Sequence, residues 1–158
     1  MDTLTHDDLC AWLRLTLAPG IGPDAARRLL AAFGLPAQIL SQSRLALEQI
    51  VSARQADALR SSSEEVDAQI TRTWQWLQDA TPEVPRRVIP LGHSHYPASL
   101  LQMADPPVLL YAMGQVDALP DLCGIAMVGS RNPTPQGADN ARQFARCFAQ
   151  MGWTVVSG

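Results

Sequence analysis

The chain has 158 residues, 47% of them apolar, and a formal net charge of −3, which is the composition of one medium-sized globular domain or a small domain plus part of another. No apolar stretch is long enough to span a membrane, and the acidic first residues do not form a secretory signal, so a cytoplasmic location is expected. The negative charge excludes a general attraction to nucleic acid, and any polyanion would have to be held by a local patch.

The first eighty residues carry helical patterns. Thr5 and Asp8 have the spacing of a capping box for a first helix that ends near Leu17. A second helix begins at Pro23 and stops at Gly34. Further helices are predicted over 36–40, 44–51 and 53–60, followed by a longer one capped by Ser62 and Glu65. These patterns predict an all-α domain over residues 1–80, closed by the polar linker 79–85.

A short turn, Gly20-Ile21-Gly22, joins the first two helices. It resembles the helix-hairpin-helix motif, in which glycines allow backbone N–H groups to face a DNA phosphate. Arg27 and Arg28, just after the turn, would then reach the phosphate. The same turn also joins helices in sterile-alpha-motif-like (SAM-like) bundles. Because short motifs often match by chance, we predict that the hairpin is mainly structural.

Strand patterns at 87–91 and 108–112 follow the linker, with a turn and helix between them. His93 and His95 lie in that connection and bracket a serine. A metal site would need further ligands at fitting positions, and none accompanies them, so no metal is expected.

The last stretch, residues 124–158, has the pattern strand, loop, helix, strand. An apolar run stops at Gly129-Ser130-Arg131. Thr134 is suited to cap a helix over 135–151 that starts with a proline and is followed by a glycine, Gly152, at the position that favours left-handed backbone. One face of this helix, predicted to be buried, consists of Ala141, Phe144, Ala145 and Phe148, and another carries Asp139, Arg142, Arg146 and Gln150.

Two strands joined by a helix almost always run parallel, so the loops at 129–131 and 157–158 should converge at one edge of the sheet. Ligands bind at that edge in open α/β sheets, and the helix N-terminus there favours an anion. Arg131 can hold a phosphate through two parallel hydrogen bonds, with Ser130 adding a hydroxyl. The residues therefore predict a phosphate site. The alternative is that Gly129 forms a tight turn and Arg131 is merely a solvated side chain.

Ordinary nucleotide cofactors are not expected at this site. The glycine spacing differs from GxGxxG, and a Walker loop needs a lysine, whereas all twelve basic residues of the chain are arginine. The sequence therefore predicts neither ATP nor a dinucleotide as cofactor.

Many residues from about Val88 to the end of the chain resemble the DNA-processing protein A family, DprA, also called Smf. The matching positions are Tyr96-Pro97, Leu100, Asp105-Pro106-Pro107, Leu110-Tyr111, Gly114, Val128 to Arg131, Thr134, Gly137, Ala141, Ala145, Gly152 and Val155 to Gly158. The resemblance implies a cytoplasmic bacterial protein of natural transformation that binds incoming single-stranded DNA, protects it and helps load the RecA recombinase, without being an enzyme. It also implies a homodimer in the full-length protein.

By similarity, the DNA phosphate-binding residues are Gly129, Ser130, Arg131, Gly137, Ser157 and Gly158. The resulting fold prediction is α+β overall: the SAM-like or helix-hairpin-helix-like domain over 1–80, then the start of a Rossmann-like domain over 81–158. The family pattern continues past Gly158, so an incomplete domain is expected. The sequence departs from the family at His93, where an acidic residue is usual, and at Gln136, where an aromatic residue often stands.

Two other functions stay open from the sequence. One is a Rossmann-like enzyme that cleaves the glycosidic bond of nucleoside monophosphates, although the Pro-Gly-Gly turn and the acidic catalytic residue that it needs do not occur here. The other is a protein-interaction module in which the phosphate-site turn is structural.

Overall fold

The computed structural model describes residues 4–119 and 123–158 and shows a mixture of helices and small sheets, which confirms the α+β class. Its contacts divide the chain into two compact units, Met1–Pro120 and Asp121–Gly158. The predicted domain boundary near residue 80 stays a prediction about the whole protein. Within the described residues, no helix is long and apolar enough to cross a membrane.

The described residues of the first unit form six helices followed by an antiparallel pair of strands. The helices are α1 (His6–Leu17), α2 (Pro23–Phe33), α3 (Pro36–Leu40), α4 (Arg44–Glu48), α5 (Ala53–Arg60) and α6 (Glu64–Gln78). The strands are β1 (Arg86–Pro90) and β2 (Leu109–Met113), and short 3₁₀ turns lie at Ala98–Gln102 and Val116–Ala118. The predicted ranges for the first helices are confirmed, except that α4 ends three residues earlier than expected.

Local capping determines most of these helix starts. The Thr5 hydroxyl accepts a hydrogen bond from the Asp8 N–H at 3.1 Å, and the Asp8 carboxylate accepts one from the Thr5 N–H at 3.2 Å, so the predicted capping box is present. The predicted cap of α6 was wrong by one residue. Ser63 is the N-cap, whereas the Ser62 hydroxyl donates to Asp67 at 2.9 Å. Only Ser62 is followed three residues later by a glutamate, but the Ser63 hydroxyl accepts from the Val66 N–H at 3.2 Å, and the helix begins after Ser63.

The helices enclose two apolar clusters. The larger one gathers residues from α1 to α5, including Leu15, Leu29, Ile39 and Leu47, all fully buried. The smaller one joins α1 to α6 and β1 through Leu9, Leu13, Ile70 and Val88. Burial of each such side chain stabilises the fold by about 1.5–3 kcal/mol, so these contacts rather than helix propensity hold the short helices in place.

Strands β1 and β2 pair antiparallel, with Val88 opposite Tyr111. The connection between them contains several of the residues that carry the family resemblance. The Tyr96 hydroxyl donates to the Pro107 carbonyl at 2.7 Å, and Arg27 of α2 pairs with Asp105 at 2.7 Å. Burial raises the pKa of Tyr96, partly opposed by the nearby Arg27, so the hydroxyl stays protonated and able to donate. The Tyr-Pro and Asp-Pro-Pro segments therefore have a structural role in this unit.

The second unit contains β3 (Gly124–Ala126), α7 (Pro135–Gln150) and β4 (Thr154–Val156). The strands pair parallel, with Ile125 opposite Val155, as the strand-helix-strand pattern predicted. Thr134 is the N-cap with a proline at N1, and Gly152 has a φ of 83°, so both predicted helix ends are confirmed.

The prediction that one face of α7 is buried was wrong for the described residues. Phe144 is 59% exposed, Ala141 is exposed, and Ala145 and Phe148 are only half-buried. The physical reason is size. A 16-residue helix is about 24 Å long, whereas each strand has three residues and spans about 10 Å. Two such strands cannot cover the apolar face of the helix.

A candidate phosphate-binding interface

Both loops of the predicted phosphate site leave the second unit at the same edge of its sheet. The Met127 N–H donates to the Val156 carbonyl at 2.9 Å, so the parallel pairing continues past the end of β3. The chain then diverges into residues 128–134 on one side and 157–158 on the other. This is the carboxyl edge of a parallel strand pair, where the sequence placed the site.

A cavity of about 670 Å³ opens at this edge, between the loop after β3, the first turns of α7 and the end of β4. All six residues predicted to bind phosphate line it: Gly129, Ser130, Arg131, Gly137, Ser157 and Gly158. Thr134 and Arg142 also line it, together with small apolar side chains. The structure thus brings together in one cavity residues that are up to 29 positions apart, since Gly129 and Gly158 both contribute.

The charge of the cavity wall is positive. Among the residues that the structure describes, its lining contains two arginines, Arg131 and Arg142, and no Asp or Glu. Arg131 is exposed and forms no ion pair or hydrogen bond with the part of the chain that the structure describes. A guanidinium without a protein partner keeps all its donors available for an anion. The arrangement can therefore bind phosphate without first breaking an internal contact of Arg131.

The N-terminus of α7, which was expected to favour an anion, offers few free backbone N–H groups. Pro135 has no N–H, and the Gly137 N–H donates to the Thr134 hydroxyl at 3.1 Å. The Ala138 N–H donates to the Thr134 carbonyl. Among the described contacts of the first turn, the Gln136 N–H is left without a partner. An anion at this end would thus depend on one backbone donor, the helix dipole and the arginine side chains.

The glycines of the site have different surroundings. A Cβ on Gly137 would lie 3.2 Å from the Thr134 hydroxyl oxygen, so the small residue there leaves room for the helix cap. A Cβ on Gly129 would meet nothing within 4 Å, so the fold of this unit does not require a glycine at that position. Open space beside a bare backbone instead allows close approach of a ligand.

The hydroxyl of Ser130 shapes the loop. It accepts a hydrogen bond from the Asn132 N–H at 3.2 Å and lies 3.3 Å from the Asn132 carbonyl, to which it can donate. The serine therefore stabilises the turn that presents Arg131. Its predicted contact with phosphate, like that of Gly137, stays a prediction.

Arg142 is the site residue that sequence reasoning missed. The helical pattern assigned it to the water-facing side of α7, with Asp139, and the structure does show the two paired at 2.8 Å. However, Arg142 also lies on the cavity wall, one turn after Ala138, which lines it too. The signal in the sequence was the four-residue spacing from Ala138, which places both residues on one helix face.

The Gly20-Ile21-Gly22 hairpin is folded into the first unit. Ile21 is buried in the larger apolar cluster, and its N–H donates to the Ala18 carbonyl at 3.0 Å. The Gly20 carbonyl accepts from the Gln55 side chain at 2.7 Å. Gly20 has a φ of 82°, whereas Gly22 has an ordinary φ of −86°. The first glycine rather than the second is the one that the backbone conformation requires.

The two arginines after the hairpin are also engaged within the protein. Arg27, 21% exposed, contacts Asp105 and donates to the Pro106 carbonyl at 2.8 Å. Arg28 contacts Asp24 at 3.1 Å and donates to the Ile50 carbonyl at 2.8 Å. These contacts give both arginines a structural role, which favours the prediction that the hairpin is mainly structural over the alternative that it contacts DNA.

The histidines lie in a polar network. His95 Nε2 is 3.0 Å from Asp117 and 3.1 Å from the Arg87 guanidinium, and the His93 ring accepts from the His95 N–H at 3.1 Å. No group of three or more His, Cys, Asp or Glu residues within 4–119 and 123–158 is arranged to hold a metal ion.

Comparison with known proteins places this interface in a family context. Residues 87–158 match the family described as "DNA recombination-mediator protein A". The chain is 31% identical to the "DNA processing protein DprA" of Bacillus subtilis over 92 residues, covering 52% of the chain and 31% of that protein. It is 23% identical over 160 residues to the "Protein Smf" of Synechocystis, covering 98% of the chain and 39% of that protein.

A third relative is the "Protein Smf" of Borreliella burgdorferi, 36% identical over 74 residues, with 46% of the chain and 23% of the relative covered. The chain thus spans between about a quarter and two fifths of the length of these relatives. The segment 87–158 that matches the family includes every lining residue of the cavity. Through this segment, the chain is similar to the family described as DNA recombination-mediator protein A, and the relatives that it matches are named DprA or Smf.

Proposed function

We propose that this protein binds single-stranded DNA through its phosphate backbone at the cavity formed by residues 128–134, the first turns of α7 and residues 157–158. In this proposal the protein acts in natural transformation, where it protects incoming DNA and helps RecA to load onto it. It does so without catalysing a reaction, as a homodimer, with a SAM-like helical domain ahead of a Rossmann-like one. The names of its relatives support a role in DNA processing and recombination.

One observation carries this proposal: the cavity presents Arg131, which has no partner in residues 4–119 and 123–158, on a wall where these residues include no Asp or Glu. The overall charge of the chain is negative, so a polyanion would have to be held by a local patch of positive charge, and the two arginines of the cavity wall form such a patch. Contacts of this kind neutralise phosphates and read no base edges, so binding should be independent of DNA sequence.

The same cavity argues for binding rather than hydrolysis. Cleavage of a nucleoside monophosphate needs a carboxylate near the glycosidic bond, and the described lining residues supply none. Arginine is also common at protein interfaces, so the protein-interaction alternative is decided by the binding experiment below. We therefore keep the non-enzymatic DNA-binding proposal.

The test is Arg131→Ala, with binding to fluorescent oligothymidine followed by anisotropy. We expect affinity to fall about tenfold or more, which corresponds to about 1.4 kcal/mol. The slope of log affinity against log salt should become shallower by about 0.7, because single strands release about that many counterions for each phosphate neutralised. Arg131→Lys should restore binding only in part, since lysine keeps the charge and loses the fork.

Arg54→Ala is the matched control, because Arg54 is exposed on α5 and forms no hydrogen bond or ion pair with the residues that the structure describes. It removes the same charge and should change affinity less than about twofold at near-physiological salt. The thermal stability of both variants should equal that of the parent. If Arg131→Ala binds as tightly as the parent across the salt series, or loses binding only by unfolding, the proposed site is wrong.

A further inference from the structure

We propose that Arg142 is a second phosphate contact of this site, so that the ligand is a nucleic-acid backbone bound through at least two phosphates, and that Asp139 competes with the ligand for Arg142. This inference rests on the proposed function. It adds three points to the motif at 129–131: a second arginine that binds phosphate, a ligand with at least two phosphates, and an aspartate of the protein that competes with this ligand.

The first argument is position. Arg142 and Arg131 line the same cavity from different elements, one from the second turn of α7 and the other from the loop after β3. The first turn of α7 contains Gln136, whose N–H has no partner among the described residues. Arg142 lies six residues further on, which places its Cα about 9 Å from that of Gln136 along the helix axis. The N-terminus of α7 and the backbone of Arg142 are thus separated along the helix by a distance that suits two phosphates rather than one.

The second argument is size. The cavity, about 670 Å³, falls within the range of roughly 300–1,000 Å³ that holds drug-sized ligands. A single phosphate is much smaller than such a ligand and would leave most of this volume to solvent. A stretch of backbone with its sugars would instead fill the cavity along the small lining residues Ala138, Ala141 and Ala145.

The third argument is the state of the Arg142 side chain. Its Nη1 donates to Asp139 at 2.8 Å, which is the contact that the structure gives it. A guanidinium has five N–H donors, so most of its fork stays available. Both side chains are well exposed, at 68% and 60%, and exposed ion pairs of this kind are weak. A phosphate can therefore displace Asp139 or share Arg142 with it.

The chain offers matched variants on the same helix. Arg146 lies one turn beyond Arg142, is exposed, forms no hydrogen bond or ion pair with the described residues, and does not line the cavity. We expect Arg142→Ala to weaken binding of oligothymidine about fivefold and to flatten the salt slope by about 0.7. Arg146→Ala should change affinity less than about twofold, because it removes an equal charge from outside the site.

Asp139→Asn provides the opposite change. The amide keeps the shape of the side chain and removes the negative charge that holds Arg142, so binding should tighten about twofold to threefold. Combined with Arg142→Ala, the Asp139→Asn change should have a much smaller effect, because the residue that Asp139 competes for is gone. A gain in affinity cannot result from misfolding, so this variant keeps the inference testable even if an alanine variant is unstable.

The outcomes of these experiments distinguish a failure of this inference from a failure of the proposed function. Loss of binding with Arg131→Ala but parental affinity and slope with Arg142→Ala would overturn the second contact and leave the proposed function intact. Parental binding with Arg131→Ala would refute the proposed function itself. If Arg142→Ala and Arg146→Ala weaken binding equally, Arg142 acts only through general charge and the two-phosphate site is wrong. Salt slopes flattened by about 0.7 for each single variant and about 1.4 for Arg131→Ala with Arg142→Ala would support it.

Discussion

Replacing Arg27 with alanine tests whether the glycine hairpin of the helical unit is structural or binds DNA. In the structure, Arg27 ties α2 to the segment before β2 through two contacts: 2.7 Å to the Asp105 carboxylate and 2.8 Å to the Pro106 carbonyl. Pro106 is 79 residues away along the chain, so the contact holds distant parts of the unit together. We therefore expect Arg27→Ala to lower stability and to leave DNA affinity almost unchanged.

The magnitude follows from the exposure of each partner. Asp105 is 63% exposed, so the ion pair contributes at the level of a surface pair, about 0.2–1 kcal/mol. Arg27 is only 21% exposed, and a hydrogen bond from a charged donor to a carbonyl contributes about 1.5–3 kcal/mol, of which the lower end applies here because water still reaches the guanidinium. The sum is about 2 kcal/mol. For a chain of this length, that lowers Tm by about 4–8 °C.

The assays are thermal unfolding followed by circular dichroism and oligothymidine binding at a temperature where both proteins are folded. Arg54→Ala serves as the control for loss of one exposed arginine and should leave Tm unchanged. A double-mutant cycle with Asp105→Ala should give a coupling energy of about 0.5–1 kcal/mol if the ion pair is real. The structural interpretation would be refuted by an unchanged Tm together with a loss of DNA affinity greater than about threefold, which corresponds to more than about 0.65 kcal/mol.

Two further predictions concern glycines. Gly20→Ala should destabilise the protein by about 1–2 kcal/mol in denaturant unfolding, because alanine is strained at a φ of 82°. Gly22→Ala should cost clearly less, because its φ of −86° suits alanine and a Cβ would meet open space, although alanine is a poorer N-cap of α2 than glycine. Equal losses from both would contradict the backbone argument. Gly129→Ala should unfold at the same temperature as the parent but bind oligothymidine several-fold more weakly, because its methyl group would enter open space on the cavity wall. Unchanged affinity for Gly129→Ala would show that no ligand approaches the backbone there.

Helix ends were largely predictable from the sequence. The capping box of Thr5 and Asp8 and the Thr134 cap with its following proline all appear where the sequence placed them. These features are determined within about four residues, because a cap satisfies the free N–H groups of the same turn. Ser62 marks the limit of such reasoning. Ser62 and Glu65 have the spacing of a capping box, yet the helix begins one residue later, because Ser63 caps it and Ser62 instead contacts Asp67.

The location of the candidate site was predictable for a related reason. A strand, a helix and a second strand nearly always form a parallel unit, so the loop at 129–131 and the end at 157–158 had to meet. The structure places these segments around one cavity, as that topology requires. The choice of phosphate as ligand came from the chemistry of Arg131 and does not depend on the fold.

Only the tertiary structure decided which side chains are available. The sequence does not distinguish the roles of Arg27, Arg28 and Arg131. In the structure the first two form ion pairs within the first unit, whereas Arg131 has no partner among the described residues. Arg142 reaches the cavity although its helical position suggested solvent. The reason is that capping and strand pairing depend on near neighbours, whereas the partner of a long charged side chain is set by residues that folding brings from elsewhere in the chain.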